Sequence, residues 1–274
     1  MGLSIVVCCS NDFDVVKTIS SIDSAAEIIV SLTPNPLLED YFRLLGIPFV
    51  CTPLGNHGAT ANAGIKRARH SKILIMDSDC VFTPGTIRAV EDALDEHLVV
   101  NVPIVFADRG TIISRAIALC RRFDNTYDKP AYKPGIAFRR ELSGQIGGYW
   151  YDERINWPCD SEFLWRLRKS GISVHHLDRH AIIHRPNSLS HVCRAYFNYG
   201  RDGWKRVSLL GQSTHLVPPR NLIRKHRILL RSARREPGLL FNLLLELLYI
   251  AGFSYQALKT GQAPGTAQAE PGRA

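Results

Sequence analysis

Short apolar runs alternate with helical segments through the first part of the chain, and this alternation constrains the fold more than any other feature. β-Branched, apolar runs at residues 3–9, 27–32, 47–51 and 72–76 predict strands. The segments between them have the apolar spacing of helices. Strands that alternate with helices predict an α/β, Rossmann-like domain, in which a mainly parallel central sheet carries helices on both faces.

The other predicted elements continue this pattern. A helix that ends near Glu96 has Thr83 as its predicted N-cap and Pro84 as an early helical residue. The remaining predicted helices are residues 14–22, 37–45, 60–69 and 160–169, and the remaining predicted strands are residues 98–106 and 181–184. In sheets of this kind, ligands bind beyond the carboxyl ends of the strands.

Composition narrows the class of protein. With 274 residues, 45% of them hydrophobic, the chain is long enough for one large domain with an appendage. A net charge of +9 favours an anionic partner, and charge alone does not distinguish a nucleotide, a phospholipid surface and nucleic acid. The seven cysteines show no CxxC spacing, which favours reduced thiols in the cytoplasm. Residues 3–9 are interpreted as a first strand rather than a signal peptide.

Two acids stand where the fourth predicted strand ends. Asp77 and Asp79 flank Ser78, so on an extended backbone their carboxylates share one side. Two carboxylates held together require a cation or a proton, and carboxylate oxygens suit Mg²⁺ or Mn²⁺. A solvated acidic turn is the alternative interpretation of the tripeptide alone.

Several motifs surround these acids in a fixed order. They are Asn56-His57-Gly58-Ala59-Thr60-Ala61-Asn62-Ala63-Gly64-Ile65, the strand with Asp77-Ser78-Asp79, Gly135-Ile136-Ala137-Phe138-Arg139-Arg140, Ile146-Gly147-Gly148, Cys159-Asp160-Ser161-Glu162 and His184. In this order and spacing, the chain resembles the family 2 glycosyltransferases, which have the GT-A fold, over about residues 3–205. The resemblance implies a metal-dependent, inverting transfer of a sugar from a nucleotide-sugar donor to an acceptor hydroxyl.

The chemistry of such a transfer assigns roles to particular residues. A divalent cation, Mn²⁺ or Mg²⁺, stabilises the leaving diphosphate, and an acceptor-side carboxylate removes the hydroxyl proton. The predicted metal ligands are Asp77, Asp79 and His184, and the predicted general base is Asp160. Predicted nucleotide-binding residues are Ser10, Asn11, Asn56, Asn62, Asp77 and Arg201, and predicted acceptor residues are Trp157 and Glu162.

Purely structural interpretations are alternatives to several of these functional roles. Asp160 has the position of an ordinary first-turn acid of a helix, and His184 that of a structural histidine. Trp157 is interpreted either as an acceptor platform or as a core residue, and Arg201 either as a diphosphate contact or as a surface cation.

Three departures from the family pattern matter. No acid follows the second strand, where the family holds the nucleotide base, so the base is left open. Cys159 occupies the position of the usual Glu before the catalytic acid. The absence of a QxxRW motif argues against a processive synthase.

Two other function classes remain as alternatives. A sugar-nucleotide-forming nucleotidyltransferase is disfavoured, because Ser10-Asn11-Asp12-Phe13 stands where such enzymes carry a Gly-rich loop. A non-enzymatic basic protein that binds membranes or nucleic acid would leave Asp77, Asp79 and Asp160 without a purpose. Nucleic acid is therefore not expected as a partner, and the acceptor is a sugar, a lipid-linked molecule or another small molecule.

The last part of the chain differs in character. Seven cations between residues 220 and 235 precede a long apolar stretch, residues 238–258. We predict a catalytic domain over residues 1–217, with a nucleotide-sugar half up to residue 106 and an acceptor half after it. A basic and apolar helical extension follows over residues 218–258, with a disordered tail over residues 259–274. An interfacial helix on the inner face of the membrane is favoured over a core helix, a homodimer contact or a spanning helix.

Overall fold

The computed structural model describes residues 2–108, 110–123, 131–211, 227 and 238–261. The chain forms two compact units. The first consists of Met1–Ala107 and Asp124–Arg185, and the second of Asp108–Phe123 and Pro186–Ala274. Residue 217, the predicted end of the catalytic domain, lies outside the described residues.

The helices and strands follow one another in an α/β order. They are β1 (Leu3–Cys9), α1 (Val15–Ser20), β2 (Glu27–Leu32), α2 (Pro36–Leu44), β3 (Phe49–Cys51), α3 (His57–Arg67), β4 (Lys72–Asp77), β5 (Cys80–Phe82), α4 (Thr86–Glu96), β6 (Val99–Asn101), β7 (Ile104–Phe106), α5 (Ile112–Phe123), β8 (Ile136–Arg139), α6 (Leu142–Gln145), α7 (Cys159–Lys169), β9 (His175–His176), β10 (Ile182–His184), α8 (Leu189–Leu210) and α9 (Gly238–Thr260).

A seven-stranded sheet forms the centre of the first unit, in the order β3-β2-β1-β4-β8-β6-β9. Strands β3, β2, β1 and β4 are parallel, and β8 runs antiparallel to both of its neighbours. A second sheet, β5-β10-β7, contains three strands. The predicted mainly parallel α/β sheet is confirmed.

Alternating residues of the central strands pack on opposite faces of the sheet. Ile5 and Val7 of β1 contribute to one core, and Val6 and Cys8 contribute to the other. Helices α1, α2 and α4 cover the first core, and α3, α6 and α7 cover the second. The acids that follow β4 therefore emerge from a strand that is buried on both faces.

Two sequence predictions in this region are wrong. Residues 98–106 form two strands in different sheets rather than one, because Pro103 has no N–H for a ladder and the chain changes sheets there. Helix α4 begins at Thr86 rather than Pro84, and its N-cap is Gly85 at φ 75°. The Thr83 hydroxyl instead donates to the Ala181 carbonyl, beside the start of β10.

The second unit contains α5, α8 and α9. Helices α8 and α9 approach closely at Gly200 and Gly252, where an added Cβ would collide with the backbone carbonyl of Tyr249 or of Phe197. Such an approach is possible only with small residues at the crossing. The predicted apolar extension is thus a helix, and this helix continues to Thr260, past the predicted start of the tail at residue 259. Most of the basic segment before it and residues 262–274 lie outside the described residues.

Candidate active site

Asp77 ends β4 and Asp79 lies in the turn after it, and this turn is fixed to β1. The Ser78 amide donates to the Cys8 carbonyl at 3.0 Å, and its hydroxyl donates to Asp12 Oδ2 at 2.7 Å. The hydroxyl of Thr18 lies 2.7 Å from the carbonyl oxygens of both Ser78 and Cys80. The turn thus holds its position at the carboxyl edge of the sheet, with both acids half-buried.

Asp79 faces His184, the last residue of β10. His184 Nδ1 lies 2.6 Å from the Arg185 carbonyl oxygen, which only accepts hydrogen bonds, so Nδ1 carries a proton. Nε2 is then the nitrogen that can take up a second proton or a metal ion, and it lies 3.5 Å from Asp79 Oδ1. Two acceptors at this distance need a cation between them, either a proton or a metal ion.

Cys80 completes a group whose ligand atoms lie within 4.8 Å of one another, Asp79, Cys80 and His184. Burial and the nearby acids raise the pKa of the Cys80 thiol well above its usual range, so the thiol stays protonated. Its Sγ lies 3.6 Å from Asp79 Oδ1 as a weak donor. Within this group, the Asp79 carboxylate and the His184 imidazole nitrogen are the donors available to a metal ion. Asp77, the third predicted ligand, is not a member of the group.

Asp160 lies in the first turn of α7. Burial raises its pKa to about 6, against the opposing effects of Lys133 and of the Ser161 amide. That amide lies 2.8 Å from Asp160 Oδ1. Burial also raises the pKa of Asp77, which Lys133 opposes and Asp79 reinforces. Burial thus raises the pKa of both carboxyl groups above the usual range of an aspartate.

Lys133 is a site residue that the sequence reasoning missed. Its Nζ lies 3.4 Å from the His57 carbonyl oxygen and 5.6 Å from the centre of the Tyr151 ring. Its charge acts on both Asp77 and Asp160. The available sequence signal was a lysine directly before Pro-Gly, at the start of the apolar strand β8.

Asn56 and Asn62 hold the polypeptide rather than facing a ligand. Asn56 caps α3 by accepting from the Ala59 amide at 2.9 Å, and its Nδ2 donates to the Glu153 carbonyl. Asn62 is buried and bonds both the amide and the carbonyl of Tyr151, at 3.1 and 2.9 Å. The two side chains tie α3 to the loop that leads to α7, and their role in nucleotide binding stays a prediction.

The two predicted acceptor residues, Trp157 and Glu162, differ in solvent exposure. Trp157 is half-buried, and its ring packs edge-on against His57 with centres 5.0 Å apart. Glu162 is 0% exposed, and Arg166 Nε binds its carboxylate at 2.8 Å. Arg166 also donates to the Ile146 and Tyr149 carbonyls. Glu162 is therefore a structural ion-pair partner, and its predicted acceptor role is wrong.

The remaining predicted nucleotide-binding residues are Ser10, Asn11 and Arg201. Ser10 and Asn11 are exposed after β1, and the Asn35 amide group donates to Asn11 Oδ1. Asn35 follows β2 and caps α2, so a neutral amide stands near the position where the family pattern has an acid. Arg201 lies on α8 in the second unit, where its guanidinium donates to Asn198 Oδ1 at 3.3 Å.

Comparison with known proteins supports the fold. No known protein family matches the sequence, and no curated protein matches it. The solved structure of S. aureus TarS matches with a TM-score of 0.52 at 17% identity, over 86% of this chain and 43% of that one. TarS residues 1–349, solved in complex with UDP-GlcNAc, also match with a TM-score of 0.52 at 15% identity, over 96% of this chain and 93% of that one. The fold is therefore the GT-A glycosyltransferase fold.

Proposed function

We propose that the protein is a metal-dependent, inverting, family 2-like glycosyltransferase that moves a sugar from a nucleotide-sugar donor to an acceptor hydroxyl. One observation carries the proposal: the acceptor pair of Asp79 and His184 lies at the carboxyl edge of a GT-A sheet whose unit also holds Asp160, with its raised pKa. The order of the sequence motifs supports the family assignment.

The donor end of the site fits a divalent cation. Asp79 Oδ1 and His184 Nε2 would hold it, and Asp77 would face the ribose or a water molecule on the ion. Such an ion stabilises negative charge on the leaving diphosphate. Soft metals select a thiolate, whereas the Cys80 thiol stays protonated, so the Asp79 carboxylate is left as the donor that favours Mn²⁺ or Mg²⁺.

The acceptor end fits a single displacement. The pKa of Asp160 is raised to about 6, so its carboxyl group is mostly ionised at neutral pH. Because this pKa lies near the working pH, the carboxylate is suited to take a proton from an attacking hydroxyl. The half-exposed Trp157 ring offers a flat face for an acceptor sugar. One base and one displacement invert the anomeric centre.

Uridine nucleotides are the first donors to test. The matched TarS structure contains UDP-GlcNAc, which makes UDP-sugars the leading candidates here. The base would meet the neutral Asn11–Asn35 pair in place of an acid, so recognition of uracil needs to be demonstrated.

A screen of nucleotide sugars tests the proposal. The melting temperature of the protein is measured with each nucleotide sugar, with and without Mn²⁺. Hydrolysis of the same nucleotide sugars is measured in parallel. We expect one class of nucleotide sugar to raise the melting temperature and to be hydrolysed slowly, and we expect both effects only when Mn²⁺ is present. Glu141→Gln, at an exposed acid paired with Arg139, serves as the control that keeps both signals. If every nucleotide sugar is without effect, the proposal is wrong.

We propose in addition that α9 binds an anionic membrane surface on the cytoplasmic side. Among the described helices, α9 alone contains a stretch long and apolar enough to cross a bilayer, Phe241–Thr260. Its buried side packs on α5 and α8, whereas its other side exposes apolar residues at helical spacing. These are Leu243, Leu244, Leu247, Ile250 and Leu258.

Charge and packing favour an interfacial helix over a spanning one. The sequence carries seven cations between residues 220 and 235, which would be attracted to anionic head groups at about 1 kcal/mol per residue near the surface. A helix that packs on α8 through the Gly200–Gly252 contact keeps only one face for lipid. A lipid-linked acceptor would then reach the enzyme at that surface.

Flotation with anionic vesicles tests this proposal. Removing residues 220–274 would uncover α8, so point substitutions are preferable. We expect the Leu247→Gln/Ile250→Gln variant to lose most vesicle binding, and salt to release the unaltered protein only partly. Leu44→Gln, at a leucine of α2 that is 84% exposed, is the matched control. Equal binding by all three proteins, or none at low salt, contradicts the proposal.

A further inference from the structure

A cavity of about 680 Å³ lies between α3 and the strands β2 and β3. Its volume is within the range of small-molecule sites, roughly 300 to 1,000 Å³. Part of its lining is apolar and includes Ile29, Val50 and Ala63. The charged residues of the lining are one acid and three cations, namely Glu27, Lys66, Arg67 and Arg69. The cavity therefore combines apolar surface with an excess of positive charge.

Close packing and hydrogen bonds fix the backbone around the cavity. A Cβ on Gly64 of α3 would collide with the Val6 side chain, so α3 packs closely on β1. After α3, the Arg69 amide donates to Glu27 Oε2 at 2.8 Å, and Arg69 Nε donates to Glu27 Oε1 at 2.5 Å. The Ser4 hydroxyl also donates to Glu27 Oε2, at 2.6 Å. The Glu27 carboxylate is therefore occupied by the protein, and it holds Arg69 at the cavity.

The two cations of α3 at the cavity are not needed to complete the end of that helix. Arg140 donates to the Ile65 carbonyl at 3.2 Å and to the Ala68 carbonyl at 2.5 Å, so carbonyl groups of the last turn already have a partner. Lys66 and Arg67 are exposed, and within the described part of the chain neither side chain forms a hydrogen bond or an ion pair. Their charges are therefore available to a ligand in the cavity.

Strand register separates this cavity from the acids of the active site. Glu27 and Ile73 both lie level with Ser4 of β1. Asp77 ends β4 four residues after Ile73, which corresponds to about 13 Å along a strand. The cavity thus lies toward the amino ends of the parallel strands, whereas the acids lie at their carboxyl ends.

We propose that this cavity binds a small phosphorylated molecule at a second site, separate from the donor site. Lys66, Arg67 and Arg69 would form charge-assisted hydrogen bonds with the phosphate oxygens. The cations of the lining outnumber the acid by two, which matches the charge of a phosphate monoester near neutral pH, about −1.5 to −2. The apolar lining would cover the rest of the molecule. Binding at this site does not require that the protein transfers sugar.

Calorimetric titration with inorganic pyrophosphate tests the proposal. EDTA in the buffer removes divalent cations, so that the metal-dependent donor site does not contribute. Lys66→Gln/Arg67→Gln removes two charges and keeps the contact between Glu27 and Arg69. We expect this variant to bind pyrophosphate at least about tenfold more weakly than the unaltered protein, because charge-assisted hydrogen bonds are lost. Lys66→Arg/Arg67→Lys keeps both charges and should retain binding.

A matched control removes the same charge at another place. Arg88 of α4 and Arg168 of α7 are exposed and do not line the cavity. Arg88→Gln/Arg168→Gln should bind pyrophosphate nearly as the unaltered protein does. This control separates loss of net charge in general from loss of the two cations at the cavity.

Amide NMR spectra provide a second readout, which locates the bound anion. Pyrophosphate should shift the amide signals of Val50 and Ala63 and leave those of Ser78 and Asp79 in place. Shifts confined to Ser78 and Asp79 would mean that the anion binds at the donor site, which overturns the proposal.

The titrations also have outcomes that contradict a second site. The proposal is wrong if the unaltered protein does not bind pyrophosphate, or if the test and control variants bind it equally weakly. Flotation with phosphatidylglycerol vesicles examines a lipid head group as the source of the phosphate. If Lys66→Gln/Arg67→Gln loses vesicle binding while the unaltered protein ignores pyrophosphate, the cavity recognises a lipid surface instead of a small molecule, and the proposal fails.

Discussion

The turn after β4 and the first turn of α7 each carry two acids separated by one residue, yet the two pairs serve different purposes. Asp77 and Asp79 are both half-buried at the sheet edge, beside His184. Of the second pair, Asp160 is half-buried in the site, whereas Glu162 is fully buried against Arg166. With the same spacing, both acids of the first pair are half-buried, whereas only one acid of the second pair is half-buried and the other is fully buried.

Backbone geometry explains the difference. Residues two apart share a face on an extended chain, so a strand that ends in a turn keeps both acids near the ligand edge. On a helix, residues two apart differ by about 200° in direction, so only one of them can face the site. The other must be exposed or must find a buried partner, which Arg166 supplies for Glu162.

The largest effect is expected at the helix acid that faces the site. Asp160→Asn preserves shape and removes the proton acceptor, so turnover should fall by about 10² to 10⁴-fold while donor binding persists. Steady-state kinetics with saturating acceptor measure the fall, and calorimetric titration measures the binding. Unchanged turnover would mean that neither acid of the helix pair acts as the base.

The buried member of the same pair should act on stability alone. Glu162→Gln leaves the Arg166 guanidinium buried without its counter-charge, which should lower the free energy of unfolding by about 3 to 5 kcal/mol. Denaturant titration measures the loss, and kcat per folded molecule should not change. Glu141→Gln, at an exposed ion pair, should change stability by less than about 1 kcal/mol. A catalytic defect without a stability loss would reverse the two assignments.

A smaller effect concerns pH. The pKa of Asp160 is raised to about 6, and only the ionised form accepts a proton, so kcat should decline about tenfold per unit as pH falls below that value. The decline should disappear from the residual activity of Asp160→Asn. A pH profile that stays flat between about 7 and 5 would place the base elsewhere.

Local patterns predicted much of the fold. β1 and β2 have the predicted bounds, and β4 ends in the predicted acids, because continuous apolar runs mark buried strands. Helix α7 begins one residue before its predicted start at Asp160. These features depend on neighbouring residues in the sequence, which a single sequence displays.

Features that depend on distant segments were not predictable in the same way. Lys133 lies near the His57 carbonyl and the Tyr151 ring, which come from separate parts of the chain. Asn62 matches the family motif by position, yet its amide is used by the Tyr151 backbone, 89 residues further along. Residue type and spacing identified such side chains without showing what they contact.

The central claim is that the turn acids bind the donor through a cation and that the helix acid does not. Calorimetric titration with UDP, with and without Mn²⁺, tests it on the unaltered protein, Asp79→Asn and Asp160→Asn. The account predicts Mn²⁺-dependent binding by the unaltered protein and by Asp160→Asn, and no such binding by Asp79→Asn. Mn²⁺-dependent binding that survives in Asp79→Asn, or that is lost in a folded Asp160→Asn, would contradict it.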